Sequence, residues 1–131
     1  KAKQEEAKKA TEVATKAKQD TEYAAAVAKA TRAQAAELDN FKEAKALAVE
    51  GDADAQLYLG KMFADGRGTL QVSTAAHMWF NLAATNGNDE AFEERKAITA
   101  SMTADSLEKA QMLAIKCIQS KYQVCSTGSV S

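Results

Sequence analysis

Apolar residues in this chain recur mainly at the three- and four-residue spacing of helices, and no stretch shows the alternation typical of strands. The spacing predicts helices at about 41–50, 53–65, 73–86, 89–100 and 103–120. The chain contains no proline, and it is rich in alanine, glutamate, lysine and glutamine, which favour helix. The pattern therefore predicts an all-α fold.

The first 38 residues follow a seven-residue pattern of small side chains. Its two core series are Ala7, Ala14, Thr21, Ala28 and Ala35, and Ala10, Ala17, Ala24, Thr31 and Leu38. This pattern resembles the alanine-rich coiled coils of bacterial envelope proteins. We expect residues 1–38 to form a helical stalk that packs against a partner helix, in a homo-oligomer or a larger assembly. The alternative is a single exposed helix stabilised by alanine propensity and by charge pairs at four-residue spacing.

A nine-residue pattern occurs twice in the remainder of the chain, 36 positions apart. The segments AVEGDADAQ (48–56) and ATNGNDEAF (84–92) align without gaps. Gly51 and Gly87 occupy equivalent positions and suit the left-handed residue that ends a helix. A period in the mid-thirties is typical of solenoids built from helical hairpins.

A polar residue that favours the N-cap stands at, or directly before, the predicted start of four of these helices. Asp52 and Asn88 come directly after the two glycines, while Ser73 and Thr103 stand where two further helices are predicted to begin. The segment Gly66-Arg67-Gly68 is predicted to turn the chain between the two helices of one hairpin.

Residues 51–87 carry a specific motif, in which Ala-x-x-x-Leu-Gly-x-Met-aromatic is followed by Gly-x-Gly, Ala-x-x-Trp, Ala-Ala and Gly. The matching positions are Ala55, Leu59, Gly60, Met62, Phe63, Gly66, Gly68, Ala76, Trp79, Ala83, Ala84 and Gly87. The motif resembles the Sel-one-like repeat, a close relative of the tetratricopeptide repeat. The match is partial over 41–50 and 88–125.

The resemblance implies a short α-solenoid of antiparallel helical hairpins over residues 39–125. A long N-terminal helix would precede it, and a disordered tail, residues 126–131, would follow. Trp79 is then expected to wedge one hairpin against the next as part of the core. His77, the only histidine in the chain, is expected to be a surface or capping residue, because it has no neighbouring zinc ligand or nucleophile.

Charge and motifs argue against several other classes of protein. The formal net charge is −1, from 17 basic and 18 acidic residues, without the basic stripe that nucleic-acid binding requires. No apolar run approaches the length of a membrane span. Phosphate loops, paired-histidine metal motifs and Ser-His-Asp spacing are lacking, so we expect no cofactor, no metal and no enzymatic activity. Because the sequence begins with Lys, we expect a removed or omitted segment before it.

The two cysteines, Cys117 and Cys125, are separated by seven residues. In one continuous helix they would lie about 12 Å apart along the axis, whereas a disulfide needs α-carbons within roughly 4.4–6.8 Å. Pairing therefore requires the helix to end near Ser120. The spacing resembles that of cysteine-rich secreted members of the same family, which implies a disulfide and a periplasmic or secreted bacterial protein. Two reduced thiols in a cytosolic protein are the alternative.

The resemblance implies a non-enzymatic interaction module whose concave face is lined by the first helix of each hairpin. Candidate contacts for a peptide or an envelope protein are Leu57, Tyr58 and Lys61 from one hairpin, and Phe92, Arg95, Lys96 and Thr99 from the next. The alternative is a structural subunit of a larger assembly, such as a motor ring, a secretion apparatus or a filament.

Overall fold

The computed structural model of the protein describes residues 2–125, which form five α-helices and no strand. The helices are α1 (Ala2–Ala48), α2 (Ala53–Asp65), α3 (Ser73–Thr85), α4 (Asp89–Thr99) and α5 (Ala104–Gln119). The predicted all-α class and the long N-terminal helix are confirmed. The predicted disordered tail, residues 126–131, lies outside the described residues.

Helix α1 differs from the prediction in its continuity. A separate helix beginning near residue 41 was predicted and is wrong, because α1 continues unbroken to Ala48. Asp39 and Asn40 favour caps, but within a helix each costs only about 0.7 kcal/mol relative to alanine, and no glycine or proline stands beside them. By its contacts the chain divides into two compact units between Ala35 and Ala36.

The first unit is helical from Ala2, and its side chains from Lys3 onward are exposed. The hydroxyl groups of Thr21 and Thr31, both at predicted heptad core positions, donate to the carbonyls of Ala17 and Val27. Their hydrogen bonds are thus satisfied within the helix. Packing of this segment against a partner helix stays a prediction.

The second unit is organised around α3, which packs against α2, α4 and α5. Trp79 is 2 % exposed, so its predicted place in the core is confirmed. It belongs to a cluster of buried residues with Ala44, Ala48, Ala55, Leu59, Met62, Met78, Leu82, Ala114, Cys117 and Cys125. A second cluster contains Leu57, Ala76, Phe80, Ala83 and Ala91.

The turns before α2 and α4 have the same local geometry. Gly51 and Gly87 have φ values of +96° and +99°, which is the region that glycine adopts without strain. Asp52 Oδ1 accepts a hydrogen bond from the Ala55 amide at 2.9 Å, and Asn88 Oδ1 accepts one from the Ala91 amide at 2.9 Å. These predicted helix ends and caps are confirmed.

The start of α3 differs from the prediction. Ser73 was predicted as the N-cap, but the cap is Val72, which has extended backbone and makes no side-chain hydrogen bond. The amide of Val72 donates to the carbonyl of Phe63 at 3.0 Å. This bond holds Val72 in the extended conformation that a cap requires, so Ser73 becomes the first helical residue and accepts a hydrogen bond from Gln71. At α5, by contrast, the predicted cap Thr103 is confirmed.

A chain of polar contacts joins four segments of the second unit. The fully buried Gln56 donates through Nε2 to the carbonyl of Ala48 at 3.0 Å. Asn86 donates through Nδ2 to Gln56 Oε1 at 2.9 Å and to the Tyr122 hydroxyl at 3.0 Å. These bonds satisfy the buried amide of Gln56 and connect the ends of α1 and α3, helix α2 and the segment after α5.

The segment after α5 folds back and forms a disulfide. Helix α5 ends at Gln119, with Ser120 as its C-cap, so the predicted helix end is confirmed. Lys121 and Tyr122 have φ values of +56° and +66° and return the chain toward the helix. Cys117 and Cys125 are bonded, with their α-carbons 4.5 Å apart, and both are buried in the first cluster.

Helices α2 and α3 approach each other closely at Gly60. A Cβ atom at this position would stand 2.6 Å from two ring carbons of Phe80, and that ring is 1 % exposed. We expect Gly60→Ala to lower the free energy of unfolding by about 1–2 kcal/mol, because overpacking costs more than the gain in helix propensity. Urea denaturation measures this change.

Phe80→Leu provides the control, since it removes the ring carbons that the new methyl group would meet. In that background we expect Gly60→Ala to be neutral or stabilising. An equal loss of stability in both backgrounds would contradict the assigned contact.

No helix within residues 2–125 combines the length and the apolar character needed to cross a membrane.

Candidate binding cleft

Helices α3, α4 and α5 enclose an open cleft of about 480 Å³. We call it the basic cleft, and its lining residues are His77, Asn81, Arg95, Lys96, Thr99, Ala100, Leu107 and Gln111. The lining contains two basic side chains, those of Arg95 and Lys96, and one imidazole, and it contains no carboxylate. Such a lining is suited to an anionic or strongly polar ligand.

The position of His77 corrects the sequence prediction. It was expected at the surface or at a cap, but it is 3 % exposed. Because α3 is packed by α2, α4 and α5, residues 75–80 are all buried. The signal in the sequence was the nearly continuous run of apolar side chains on both sides of the histidine, which is typical of a helix that is buried all round.

Burial leaves His77 poorly solvated and only partly bonded. Its Nδ1 atom is buried and has no hydrogen-bond partner among the described residues. Burial first, and the positive charge of Arg95 second, lower the pKa of His77 below its ordinary value of 6.5. The imidazole is therefore neutral near neutral pH.

The neutral state of His77 makes stability depend on pH. Because the pKa of His77 is lower in the folded state, the unfolded chain takes up this proton first as the pH falls. Its contribution to stability is present above pH 6.5 and is lost as the pH falls through the folded pKa. We expect the melting temperature to fall more between about pH 7.5 and 5.5 in the wild type than in His77→Gln. Circular dichroism at both pH values measures the difference, and parallel changes in the two proteins would contradict it.

Helix α4 presents Phe92, Arg95, Lys96 and Thr99, all predicted contacts, at helical spacing. Phe92 is 45 % exposed, and its ring centroid lies 5.0 Å from the Arg95 guanidinium carbon and 5.5 Å from Lys96 Nζ. The structure therefore brings these four residues together at the basic cleft, which Arg95, Lys96 and Thr99 line directly.

Arg95 is held in place by its neighbours. Its Nη1 atom donates to Asn81 Oδ1 on α3 at 2.5 Å, and its carbonyl accepts a bond from the Thr99 hydroxyl at 2.7 Å. The ring of Phe92 supports the guanidinium by a cation–π contact. The guanidinium is thus oriented before any ligand is present.

The predicted contacts on α2 do not join this group. Leu57 is 8 % exposed and lies in the second core cluster, so we leave it out of the binding surface. Lys61 forms a 3.0 Å ion pair with Glu90. Tyr58 lies under the Arg67 guanidinium at 5.8 Å.

Tyr58 also lines a second cleft, of about 430 Å³, between the end of α1 and the start of α2. The other lining residues are Asn40, Glu43, Ala44, Leu47, Asp52, Asp54 and Ala55. Three of these are acidic and none is basic, so the two clefts differ in the sign of their charge.

His77, Asn81, Leu107 and Gln111 line the basic cleft but were not among the predicted contacts. They lie on α3 and α5, and no periodicity along the sequence connects them with α4. No group of three or more potential metal ligands occurs between residues 2 and 125.

Comparison of the chain with protein-family models, with curated proteins and with solved structures gives no match in any of the three. The resemblance to Sel-one-like repeats therefore depends on the motifs of the sequence alone.

Proposed function

We propose that the protein is a non-enzymatic interaction module of the bacterial cell envelope, in which residues 39–125 form a short α-solenoid of Sel-one-like hairpins. It binds a peptide or an envelope protein at the surface formed by Phe92 and the basic cleft. The observation that carries this proposal is the half-exposed ring of Phe92 beside two cations that line an open cleft.

This surface has the chemistry of a protein-binding site. Aromatic and arginine side chains supply much of the binding energy at protein interfaces, because they bury a large area when they bind. Phe92 offers such an area, and the oriented Arg95 and the nearby Lys96 offer hydrogen bonds and charge. A peptide lying along α4 would contact all three.

Two further observations support the proposed architecture and location. The turns at Gly51-Asp52 and Gly87-Asn88 share the same φ values and the same capping bonds, as expected for corresponding ends of successive hairpins. The Cys117–Cys125 disulfide favours an oxidising compartment, such as the periplasm, or secretion.

Selection of phage-displayed peptides on the immobilised full chain tests the proposal. We expect selected peptides to bind the wild type and to lose about tenfold or more in affinity with Phe92→Ala, as for an interface hot spot. Leu70→Ala is the matched control, because Leu70 is 81 % exposed and lies outside the proposed surface.

Failure to enrich any peptide that depends on Phe92 would overturn this function. Equal losses with Phe92→Ala and Leu70→Ala would do so as well, since they would indicate non-specific adhesion to apolar side chains.

A second candidate function is that of a structural subunit in a larger assembly. It is favoured by apolar side chains exposed on two helices. On α1 these side chains are Val13, Tyr23 and Val27. On α5 they are Met112, Ile115 and Ile118, and these three recur at every third residue. Residues 1–38 would then pack against other chains, in a homo-oligomer or in a heteromeric assembly.

Sedimentation of the full chain and of two variants tests this alternative. Ala24→Glu introduces a charge at a predicted heptad core position, whereas Ala26→Glu introduces the same charge on the opposite face of α1. If the heptad mediates association, Ala24→Glu should dissociate the oligomer and Ala26→Glu should not. A monomeric wild type at high concentration would count against self-association through this helix.

A further inference from the structure

We propose that the basic cleft binds a carboxylate group of the partner peptide or protein. This inference deepens the proposed function and rests on it for the identity of the ligand. The carboxylate can come from the end of a chain or from an acidic side chain, because the cleft chemistry is the same for both.

The first argument is the unbalanced positive charge of the cleft. Arg95 and Lys96 both line it, and its lining has no acidic residue. Within residues 2–125 the ion pairs are Lys61 with Glu90 and Arg67 with Asp65, so neither cleft cation is paired with a carboxylate of this chain. A bound anion would supply the missing negative charge.

The second argument is the orientation of Arg95. One amino group of its guanidinium is bonded to Asn81 Oδ1, and the Phe92 ring supports its plane. The remaining N–H groups form part of a planar fork that matches the two oxygens of a carboxylate. Little side-chain entropy remains to be lost on binding.

The third argument is the unsatisfied imidazole of His77. It lines the same cleft, is 3 % exposed, and has an Nδ1 atom without a partner among residues 2–125. A buried polar group without a hydrogen bond is costly. A ligand carboxylate in the cleft would lie beside this ring and stabilise the protonated imidazole.

The surroundings favour a carboxylate over a phosphate dianion. Thr99 and Ala100, at the carboxyl end of α4, line the cleft, and the C-terminal end of a helix carries partial negative charge. Leu107 and Ala100 provide apolar walls. These walls would remove water from the second negative charge of a phosphate without offering it a hydrogen bond in return. A carboxylate carries a single negative charge on an apolar stem, so it suits both the partial negative charge of the helix end and the apolar walls.

Nuclear magnetic resonance of the full chain tests the inference directly. The probes are N-acetylated tetra-alanine with a free C-terminus, the same peptide with an amidated C-terminus, an amidated version containing one internal glutamate, sodium acetate and sodium phosphate. We expect saturable shifts of the His77 ring and of the Asn81 and Gln111 side-chain amides with each carboxylate probe, and none with the amidated tetra-alanine.

Matched variants locate the binding site. Arg95→Gln and Lys96→Gln should each weaken binding of the free-carboxylate peptide, by about tenfold for Arg95→Gln because it removes a charged hydrogen-bond donor. Lys45→Gln removes an exposed cation on α1 outside the cleft and should leave the affinity unchanged. Arg95→Lys keeps the charge but lacks the fork, so it should restore only part of the affinity.

The pH dependence provides a second readout. A bound carboxylate raises the pKa of His77, so affinity should increase between about pH 7.5 and 6, and this increase should vanish in His77→Gln. The charged groups that face His77 across the cleft are Arg95 and Lys96 of α4. Helix α5 contributes the uncharged Leu107 and Gln111, α3 contributes Asn81, and α2 contributes no lining residue.

The outcomes separate this inference from the proposed function. Equal binding of the free and amidated peptides, with loss in Phe92→Ala, would keep the peptide-binding function and overturn the carboxylate site. Acetate binding that depends on Arg95, without binding of any peptide, would keep the site and overturn the function. Tighter binding of phosphate than of acetate, or binding unaffected by Arg95→Gln, would also overturn the inference.

Discussion

Trp79→Ala is expected to lower the free energy of unfolding by about 3–5 kcal/mol, the usual cost of removing a buried tryptophan. The side chain is 2 % exposed and lies in the cluster that joins α2, α3, α5 and the end of α1. The cost includes the cavity left among these helices, since a packed core relaxes only partly around it. Urea denaturation followed by far-ultraviolet circular dichroism measures the loss.

Tyr23→Ala is the control for this prediction, since Tyr23 is 73 % exposed and its removal should change stability by less than about 0.5 kcal/mol. The wild-type protein should also emit tryptophan fluorescence at shorter wavelength than the denatured chain. Emission at the fully solvated maximum before denaturation would contradict the burial of Trp79.

Loss of the disulfide in the paired variant Cys117→Ser with Cys125→Ser is expected to lower the free energy of unfolding by about 2.5 kcal/mol. The bond closes a short loop and so lowers the conformational entropy of the unfolded chain. For a loop of this length, the lost entropy corresponds to this difference in free energy. Cys117 and Cys125 also pack in the first core cluster, so replacing both with serine removes apolar contacts there. Denaturation of the wild type with and without reductant gives the same comparison without mutation.

Intact-mass measurement with alkylation checks that the bond forms in the native protein. Freshly isolated, non-reduced material should take up no alkylating reagent. Two alkylated thiols would contradict the bond, and they would also remove the main support for a periplasmic or secreted location.

The sequence predicted the helices after Gly51 well, because their ends are set by local chemistry. Gly51, Asp52, Gly87 and Asn88 determine where helices stop and start, whatever surrounds them. The prediction that Ser73 caps α3 is wrong because a contact outside the local sequence decides the cap. The Val72 amide donates to the carbonyl of Phe63, and this bond makes Val72 the capping residue.

The candidate cleft was less predictable than the helices. Phe92, Arg95, Lys96 and Thr99 share one helix, and the resemblance to Sel-one-like repeats, in which the first helix of each hairpin lines the concave face, pointed to them as a group. His77 and Asn81 reach the same cleft from α3, and Leu107 and Gln111 reach it from α5. Their proximity depends on how three helices pack, and no pattern in a single sequence encodes this directly.

The contacts of Gln56 and Asn86 have a consequence for local opening of the fold. They tie the carbonyl of Ala48 to the hydroxyl of Tyr122, and thus connect the turn after α1 with the turn after α5. Ends of a domain usually fray independently, because nothing couples them. Here these bonds couple the turn after α1 to the turn after α5, so we expect the two turns to open together as one cooperative unit and to become accessible to a protease in the same step.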